Sequence, residues 1–498
     1  MVEVLTNRFT NRSYHFIGIG GIGVSAVARV LHQRGAQVQG SDVRESQLTL
    51  AMRSLGAKVY IGHDPSYVQN VDVVVYSTAV PKDNIELVEA KRLGIPCLHR
   101  SEALGLCLTG VETVGVTGTH GKGTVSAMIT HGLIVAERDP TFIIGGLLNQ
   151  YGVNARIGKL PEHLHGDQKT LGDPSELNEC VGVAEVDESD GSHLNLQPHH
   201  VIVNNLEVDH LNYYDGLDSI IDTMAQFIEQ NTHLKTLSLN WGDTGVRKLG
   251  ARLSVPFLKY GTDVNLDELS SYESTPTSIN TLSFSARSIQ DQGLCVSFSA
   301  YRGTQELGEV TLPIPGGYNA ANAVGALCVM MDGLGLSFEQ VQRALNTYEG
   351  LENRFTVRRA GGVTIVKDYL SHPTGMKRVL ESAQRFDRHN IWCVFKPYRF
   401  TLMRYHGSDY AEAFKGADDI VITTMYAANE PSISGINTPW FVDQLREAGN
   451  RVHHIPDQEK ITTFLDEHVA SKDLVFFFGG DDFFRMADAW ADQLDQRD

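Results

Sequence analysis

The sequence lacks the marks of several protein classes. No uninterrupted apolar run in its 498 residues approaches the roughly 20 needed to cross a bilayer as a helix, and the opening MVEVLTNRFTNRS has no apolar core of a signal peptide. The expectation is a cytoplasmic protein with no membrane partner. Positive charge is also short. Lys and Arg number 42 against 60 Asp and Glu, and the resulting net charge of −18 repels polyanions with no local basic patch to offset it. Nucleic acid is therefore not an expected partner. The six cysteines (Cys97, Cys107, Cys180, Cys295, Cys328, Cys393) are scattered, so neither a zinc site nor a disulfide framework is indicated. What remains, 42% hydrophobic and 20% charged, is ordinary globular composition. The length suits about three domains at ~150 residues each.

The stretch VGVTGTHGKGTVS, 114–126, organises the rest. A β-branched strand (113–117) runs through Gly118, Thr119, His120, Gly121, Lys122, Gly123 and Thr124 into an apolar helical start, the layout of a phosphate-binding loop. Backbone amides there surround a polyphosphate while Lys122 reaches its terminal phosphates. The common loop pattern is not fully met: Val116 stands where its first glycine belongs, and Gly123 follows the lysine in place of Ser or Thr. Thr124 is the nearest hydroxyl for a metal ion. The bland alternative is a glycine-rich strand-to-helix turn.

Ser13 to Asp42 reads strand, glycine turn, helix, strand. Its turn, 18–23, is a G-x-G-x-x-G fingerprint containing Gly20, Gly21 and Gly23, and Asp42 closes the second strand where a ribose or base would be held. Alone this says NAD and an oxidoreductase; a nucleotide sugar such as a UDP-linked substrate satisfies it equally well. Strands at 58–61 and 72–76 follow, the second ending in a small-residue loop with Ser77, and a helix starts at Arg100. Ordinary loop polarity explains Ser77 and Arg100 as readily as ligand binding does.

Downstream of the phosphate loop, Gly145, Gly146, Asn149 and Gly152 mark loops, and 160–180 reads as a surface insertion. The strand at 181–184 then ends in four acidic residues within six, Glu185, Asp187, Glu188 and Asp190, where a magnesium-binding carboxylate is needed. The next strand repeats the arrangement, ending in Asn204, Asn205, Glu207, Asp209 and His210. Segments at 254–260, 283–301 and 308–312 suggest antiparallel β structure, and Asn319 and Asn322 share a helix face where paired amides would read a base edge. From Arg354 onward, strands at 363–367, 391–395, 419–423 and 474–478 alternate with helices from Thr374, Ser408, Trp440, Lys460 and Asp482, arguing a third doubly wound domain.

These residues together resemble the Mur ligases, the ATP-dependent amide ligases that build the peptide stem of bacterial peptidoglycan. The carriers are GIGGIGVS (18–25), GSD (40–42), GTHGKGT (118–124), EVDESD (185–190), NNLEVDH (204–210), PGGYNAANA (315–323), NRF (353–355), DYLSHPT (368–374), KPYRFT (396–401) and MYAANEPSISGI (425–436). They run in one order along nearly the whole chain, closest to the branch that adds L-alanine to UDP-N-acetylmuramate. The resemblance implies an α/β chain of three domains: a Rossmann-like UDP-substrate domain (1–108), a central P-loop ATPase domain with a mixed sheet (109–352) and a Rossmann-like C-terminal domain (353–498).

It further implies that Gly20, Gly21, Gly23, Asp42 and Ser77 hold the UDP substrate and that ATP lies on the loop residues 118–124. Thr124, Glu188 and His210 would hold Mg2+, with Mn2+ as a substitute. Lys122 and Arg354 would stabilise the oxyanion after an acyl phosphate is attacked by the amine, with Asn319 and Asn322 near adenine and Asp368 placing the nucleotide. The partners are then small molecules, a UDP-sugar carboxylate and an amino acid, and the chain acts as a monomer or homodimer. No lysine lies between His210 and Lys235, so the carbamylated lysine of several relatives has no counterpart. Around the incoming amino acid, His372 and Arg399 match, while Ser371, Tyr398 and Leu402 replace two histidines and an arginine of the family pattern, which removes a bidentate carboxylate clamp. A Mur-like ligase for another amino acid or carboxylate, and a non-catalytic nucleotide-binding homologue, are the alternatives.

Overall fold

The computed structural model describes residues 12–158, 180–263, 281–428 and 430–497; the insertion expected over 160–180 lies, apart from Cys180, outside them. Three sheets follow one another along the chain. The first contains β1 (Ser13–Ile17), β2 (Gln37–Asp42), β3 (Lys58–Ile61), β4 (Val73–Tyr76) and β5 (Cys97–His99) in the order β3-β2-β1-β4-β5. All its pairings are parallel. The chain reverses its direction of strand addition between β1 and β4, and such a switch point opens a crevice at the carboxyl ends of the strands.

The central sheet takes β6 (Glu112–Thr117), β7 (Thr141–Leu148), β8 (Val153–Arg156), β9 (Val181–Glu185), β10 (His200–Val203), β11 (Thr236–Asn240), β12 (Leu258–Thr262), β13 (Phe284–Asp291), β14 (Val296–Arg302) and β15 (Gln305–Leu312). Their order is β15-β14-β13-β12-β11-β10-β6-β9-β7-β8. Parallel pairing runs from β13 to β7, and antiparallel strands close both ends. The sheet is mixed, as expected, with one correction: β12 is parallel to both neighbours, not antiparallel. Alternation identifies a strand but not its direction. The helix Thr244–Gly250 between β11 and β12 supplies the crossover that a parallel pair requires. A second correction concerns Gly145 and Gly146, which lie inside β7 and not in a loop.

The third sheet, β16 (Thr356–Ala360), β17 (Val363–Asp368), β18 (Ile391–Phe395), β19 (Asp419–Ile422), β20 (Val452–His454) and β21 (Leu474–Phe478), is ordered β16-β17-β21-β18-β19-β20. The central strand β21 is LVFFF, buried throughout, the continuous apolar run of a strand covered on both faces. Here the helix expected from Ser408 begins eight residues earlier, covering Phe400–Ala413.

The first two units share a core. The helix Ile22–Gln33 lies against β7 and β8, and Asn154, 1% exposed, donates to the Ile22 carbonyl at 3.1 Å. The C-terminal unit is tied to the central one by Ser382 on Asp291 (2.9 Å) and by Arg399 on Asn212 (2.9 Å).

Candidate active site

Strand order explains why motifs far apart in sequence meet. β9 and β10 flank β6 on either side, with Val116 opposite Glu185 and Thr117 opposite Val203. The loops after these parallel strands leave the same edge of the sheet, bringing 185–190 and 204–210 to the phosphate loop.

The loop is shaped by Asn205. Its Oδ1 accepts from the His120 amide at 2.6 Å, its carbonyl accepts from the Thr119 amide at 3.0 Å, and its Nδ2 donates to the His120 carbonyl at 3.0 Å. Thr119 and His120 therefore fix the turn with amides that the sequence reading gave to ATP. The amides from Gly121 to Thr124, at the start of the helix Lys122–Val135, have no carbonyl partner within the helix and are the kind of donors that suit an anion. Gly118 (φ +125°) and Gly121 (φ +80°) need their missing side chains: a Cβ would lie 2.8 Å from the Asn205 carbonyl in the first and 2.7 Å from Asn322 Oδ1 in the second. Gly123 is less constrained, its nearest contact being Leu351 at 3.2 Å, and Thr124 follows it half-buried.

Lys122 turns its Nζ onto Gly118 O (2.7 Å) and Glu188 (3.0 and 3.2 Å). Burial opposes its charge, but Glu188, Asp187 and Glu185 outweigh burial and raise its pKa. Glu188, 2% exposed, is pushed up by burial and pulled down further by Lys122 and His210, so its carboxylate is ionised below the usual range. Burial likewise works against Asp187, and Lys122 and Arg100 hold it down at about 2. His210 sits at φ +54°, a conformation seldom adopted by a non-glycine residue, with Nε2 3.6 Å from Glu188 and Nδ1 buried without a partner. Burial disfavours its imidazolium, yet Glu188 and Asp209 raise its pKa.

An ionised buried carboxylate beside a strained histidine with an orphaned ring nitrogen fits a divalent cation. The fit places Glu188 and His210 together.

The glycine turn of the first sheet is closed by Asp42, whose Oδ2 accepts from the Gly20 amide at 2.8 Å. Arg100 covers Gly23, where a Cβ would lie 3.3 Å from its guanidinium, and reaches Asp187 at 3.3 Å. Arg100 thus joins the glycine turn to the acidic loop, and Thr78, next to the half-buried Ser77, bonds Asp190. Neither cross-link has a sequence signature; only the fold pairs residues so far apart.

The remaining expected residues lie as follows. Asn322 donates to Asn319 (2.8 Å) and Asn319 to the Pro315 carbonyl (2.7 Å), so the pair braces the Gly121 side of the loop. Arg354 is exposed, donates to the Tyr369 carbonyl (2.8 Å) and lies over the Tyr369 ring. His372 caps the helix Pro373–Ala383, its Nε2 3.2 Å from His406, and burial with the nearby His120 lowers its pKa to about 4. The Ser371 carbonyl accepts from Tyr410, Tyr398 stacks on Tyr426, and Arg399 (φ +63°) reaches Asn212. Leu402 is 4% exposed and belongs to the C-terminal core cluster against which Tyr398 also packs, so its side chain is turned into the core.

Asp368, 3% exposed, takes the Phe355 amide on Oδ2 (3.2 Å) and keeps a buried Oδ1 with no partner. Burial pushes its pKa up to about 7 although Arg354 opposes this. Because the folded value exceeds the unfolded one, its contribution to stability is full below about pH 4 and is lost as pH rises through about 7. Asp368→Asn removes the charge that burial disfavours. The variant is expected to be more stable than the native chain at about pH 8, by up to roughly 4 kcal/mol, with the gap closing near pH 4. Thermal unfolding of both across that range checks it, and a variant no more stable at the alkaline end would contradict the burial effect.

A phosphate loop at a parallel strand end, facing an acidic strand end and flanked by two Rossmann-like units, defines a nucleotide-dependent enzyme of three α/β domains. The chain belongs to the Mur ligase family, whose alanine-adding type consists of ATP-dependent amide ligases. It matches the models described as Mur ligase family, catalytic domain (residues 13–110), Mur ligase middle domain (116–330) and Mur ligase, glutamate ligase domain (353–480). It is 34% identical over 477 residues to the UDP-N-acetylmuramate–L-alanine ligase of Geobacter sp. (strain M21), covering 95% of this chain and 96% of that one. It is also 34% identical over 489 residues to the enzyme so named in Syntrophotalea carbinolica, covering 98% and 99%. The crystal structure of the UDP-N-acetylmuramate–alanine ligase of Thermotoga maritima has the same fold, with a TM-score of 0.77 at 23% identity over 98% of this chain and all of that one. Among the described residues no helix is long and apolar enough to cross a membrane.

Proposed function

We propose that this chain joins L-alanine to the carboxylate of UDP-N-acetylmuramate, converting ATP to ADP and phosphate through an acyl phosphate, in the cytoplasm. The observation that carries the reading is the cross-linked pair of sites. The glycine turn that suits a diphosphate is tied through Arg100 to the acidic loop whose Glu188 pairs with Lys122. The relatives of nearly full length carry the same substrate names.

In this reading Lys122 leaves Glu188 for the ATP phosphates, and the amides from Gly121 to Thr124 hold the same group. Glu188 and His210, with Thr124, would hold Mg2+, which supplies charge neutralisation for phosphoryl transfer when bound. A carboxylate is a poor acyl donor; its phosphorylation provides the leaving group that the amine then displaces. Lys122 stabilises the oxyanion of that attack, and Arg354 joins it when the C-terminal unit brings its guanidinium off Tyr369. Asp368 presents its unpartnered Oδ1 to the nucleotide, and Asp42, Ser77 and the Gly20 to Gly23 turn hold the UDP group. Arg399 supplies the cationic side chain for the amino-acid carboxylate, with Ser371 and Tyr398 beside it and His372 behind them.

The test is phosphate release from ATP with UDP-N-acetylmuramate and a panel of amino acids. L-alanine is expected to stimulate it most, with a product mass of the amide. Stimulation by another amino acid alone would reassign the amine, and none at all with any amine would sink the proposal.

A further inference from the structure

The phosphate loop carries a side chain that phosphate binding does not use. His120 gives its backbone to Asn205, while its ring points toward the C-terminal unit and lies 4.8 Å from the ring of His372. Its Nε2 is buried with no hydrogen-bond partner. Glu207, at the end of the loop after β10, places one carboxylate oxygen 3.5 Å from His120 Nε2 and 3.7 Å from His372 Nδ1. One ligating atom from each of the three lies within 4.8 Å of the other two, the one such group found among the described residues.

We propose that His120, Glu207 and His372 form a binding site for a divalent transition metal of the zinc type, separate from the Glu188 and His210 site. Two imidazoles and a carboxylate are a donor set that favours zinc over magnesium, which prefers oxygen, and three protein ligands leave a fourth position open. Zinc to nitrogen or oxygen bonds of about 2.0–2.2 Å put tetrahedral ligand atoms roughly 3.3–3.5 Å apart. The two contacts of Glu207 are already near that spacing, so closure needs movement mainly between the two rings.

Surrounding groups orient the donors. Glu207 is anchored by its amide on Thr119 Oγ1 (2.9 Å), and the outer nitrogen of His372 faces His406, which Asp409 (2.7 Å) and the Val208 carbonyl (3.1 Å) hold in turn. The contact that coordination through His372 Nδ1 displaces is a long one, the 3.3 Å bond from the Thr374 amide. A cleft of about 480 Å³ lined by Val208, Arg378, Tyr405 and His406 reaches Glu207, one of the three donors. Two ligands belong to the central unit and the third to the C-terminal one, so the bound ion ties the phosphate loop to the C-terminal unit.

The experiment uses the full chain stripped with a chelator and titrated with Co2+ and then Zn2+, in excess Mg2+. One Co2+ per chain is expected, with visible absorption of a four-coordinate ion that Zn2+ abolishes. Equilibrium dialysis should show Zn2+ affinity falling roughly tenfold or more in Glu207→Gln and in His120→Asn, and unchanged in Glu188→Gln. Far-ultraviolet circular dichroism and thermal unfolding establish that each variant is folded, and the two substitutions on different loops guard against failure of either one. Absence of stoichiometric binding, or binding that survives both substitutions, would overturn the proposal. So would binding lost in Glu188→Gln alone, which would assign the ion to the magnesium site. None of these readouts depends on turnover, so failure of the ligase reading leaves the metal test intact.

Discussion

Lys122→Ala is expected to lower ATP-dependent turnover by roughly 10³-fold or more, read as ADP release with all substrates saturating. Among the described residues its ammonium is the one cation bonded to both the phosphate loop and the acidic strand end, through Gly118 O and Glu188. The same change leaves Glu188 buried without its main counter-charge, and breaking a buried pair in this way costs about 3–5 kcal/mol. Lost turnover therefore needs separating from lost fold. Lys122→Ala combined with Glu188→Gln removes the uncompensated carboxylate, and the pair should regain much of the native melting temperature while remaining inactive. Turnover within about tenfold of native in folded Lys122→Ala would remove Lys122 from the chemistry.

Much of this site is legible in the sequence because strand and loop are contiguous there. GTHGKGT, EVDESD and NNLEVDH each end a short apolar run, and β6, β9 and β10 are parallel neighbours, so three local signals become one place. What the sequence hides is set by contacts between distant segments. Arg100, at a helix start, leaves loop polarity and ligand binding equally open in the sequence, and the fold lays it across Gly23 and onto Asp187. His406 carries no local signal because it lies mid-helix, at a kink with φ −106°. Gly145 looks like a loop residue, yet it continues β7 because its amide donates to Glu185 (2.7 Å), and a Cβ would lie 2.6 Å from that carboxylate. Asp42 reads as a ribose ligand from its strand-end position, and the structure shows its Oδ2 bonded to the glycine turn. Motif position identifies the neighbourhood; the direction of each side chain depends on packing.

Leu402 shows the consequence for specificity. Motif position puts it beside the incoming amino acid, where Leu402→Arg would restore a carboxylate clamp and shift the choice of substrate. In the fold it is the third residue of the helix Phe400–Ala413 and is buried in a core cluster with Phe395, Met403, Tyr410 and Phe441. A guanidinium there loses its hydration inside a packed core, and the Glu430 carboxylate near it is already bonded to Thr401 N and Oγ1, so Leu402→Arg is expected to destabilise the chain by more than about 4 kcal/mol. Urea unfolding should show the midpoint falling steeply. Leu402→Met, of similar volume, should cost less than about 1.5 kcal/mol and leave the order of preferred amino acids unchanged. A Leu402→Arg chain with native stability and a new amino-acid preference would place this side chain in the substrate pocket after all. Its loss of stability would instead leave carboxylate recognition to Arg399, whose guanidinium already spans to Asn212 across the two units.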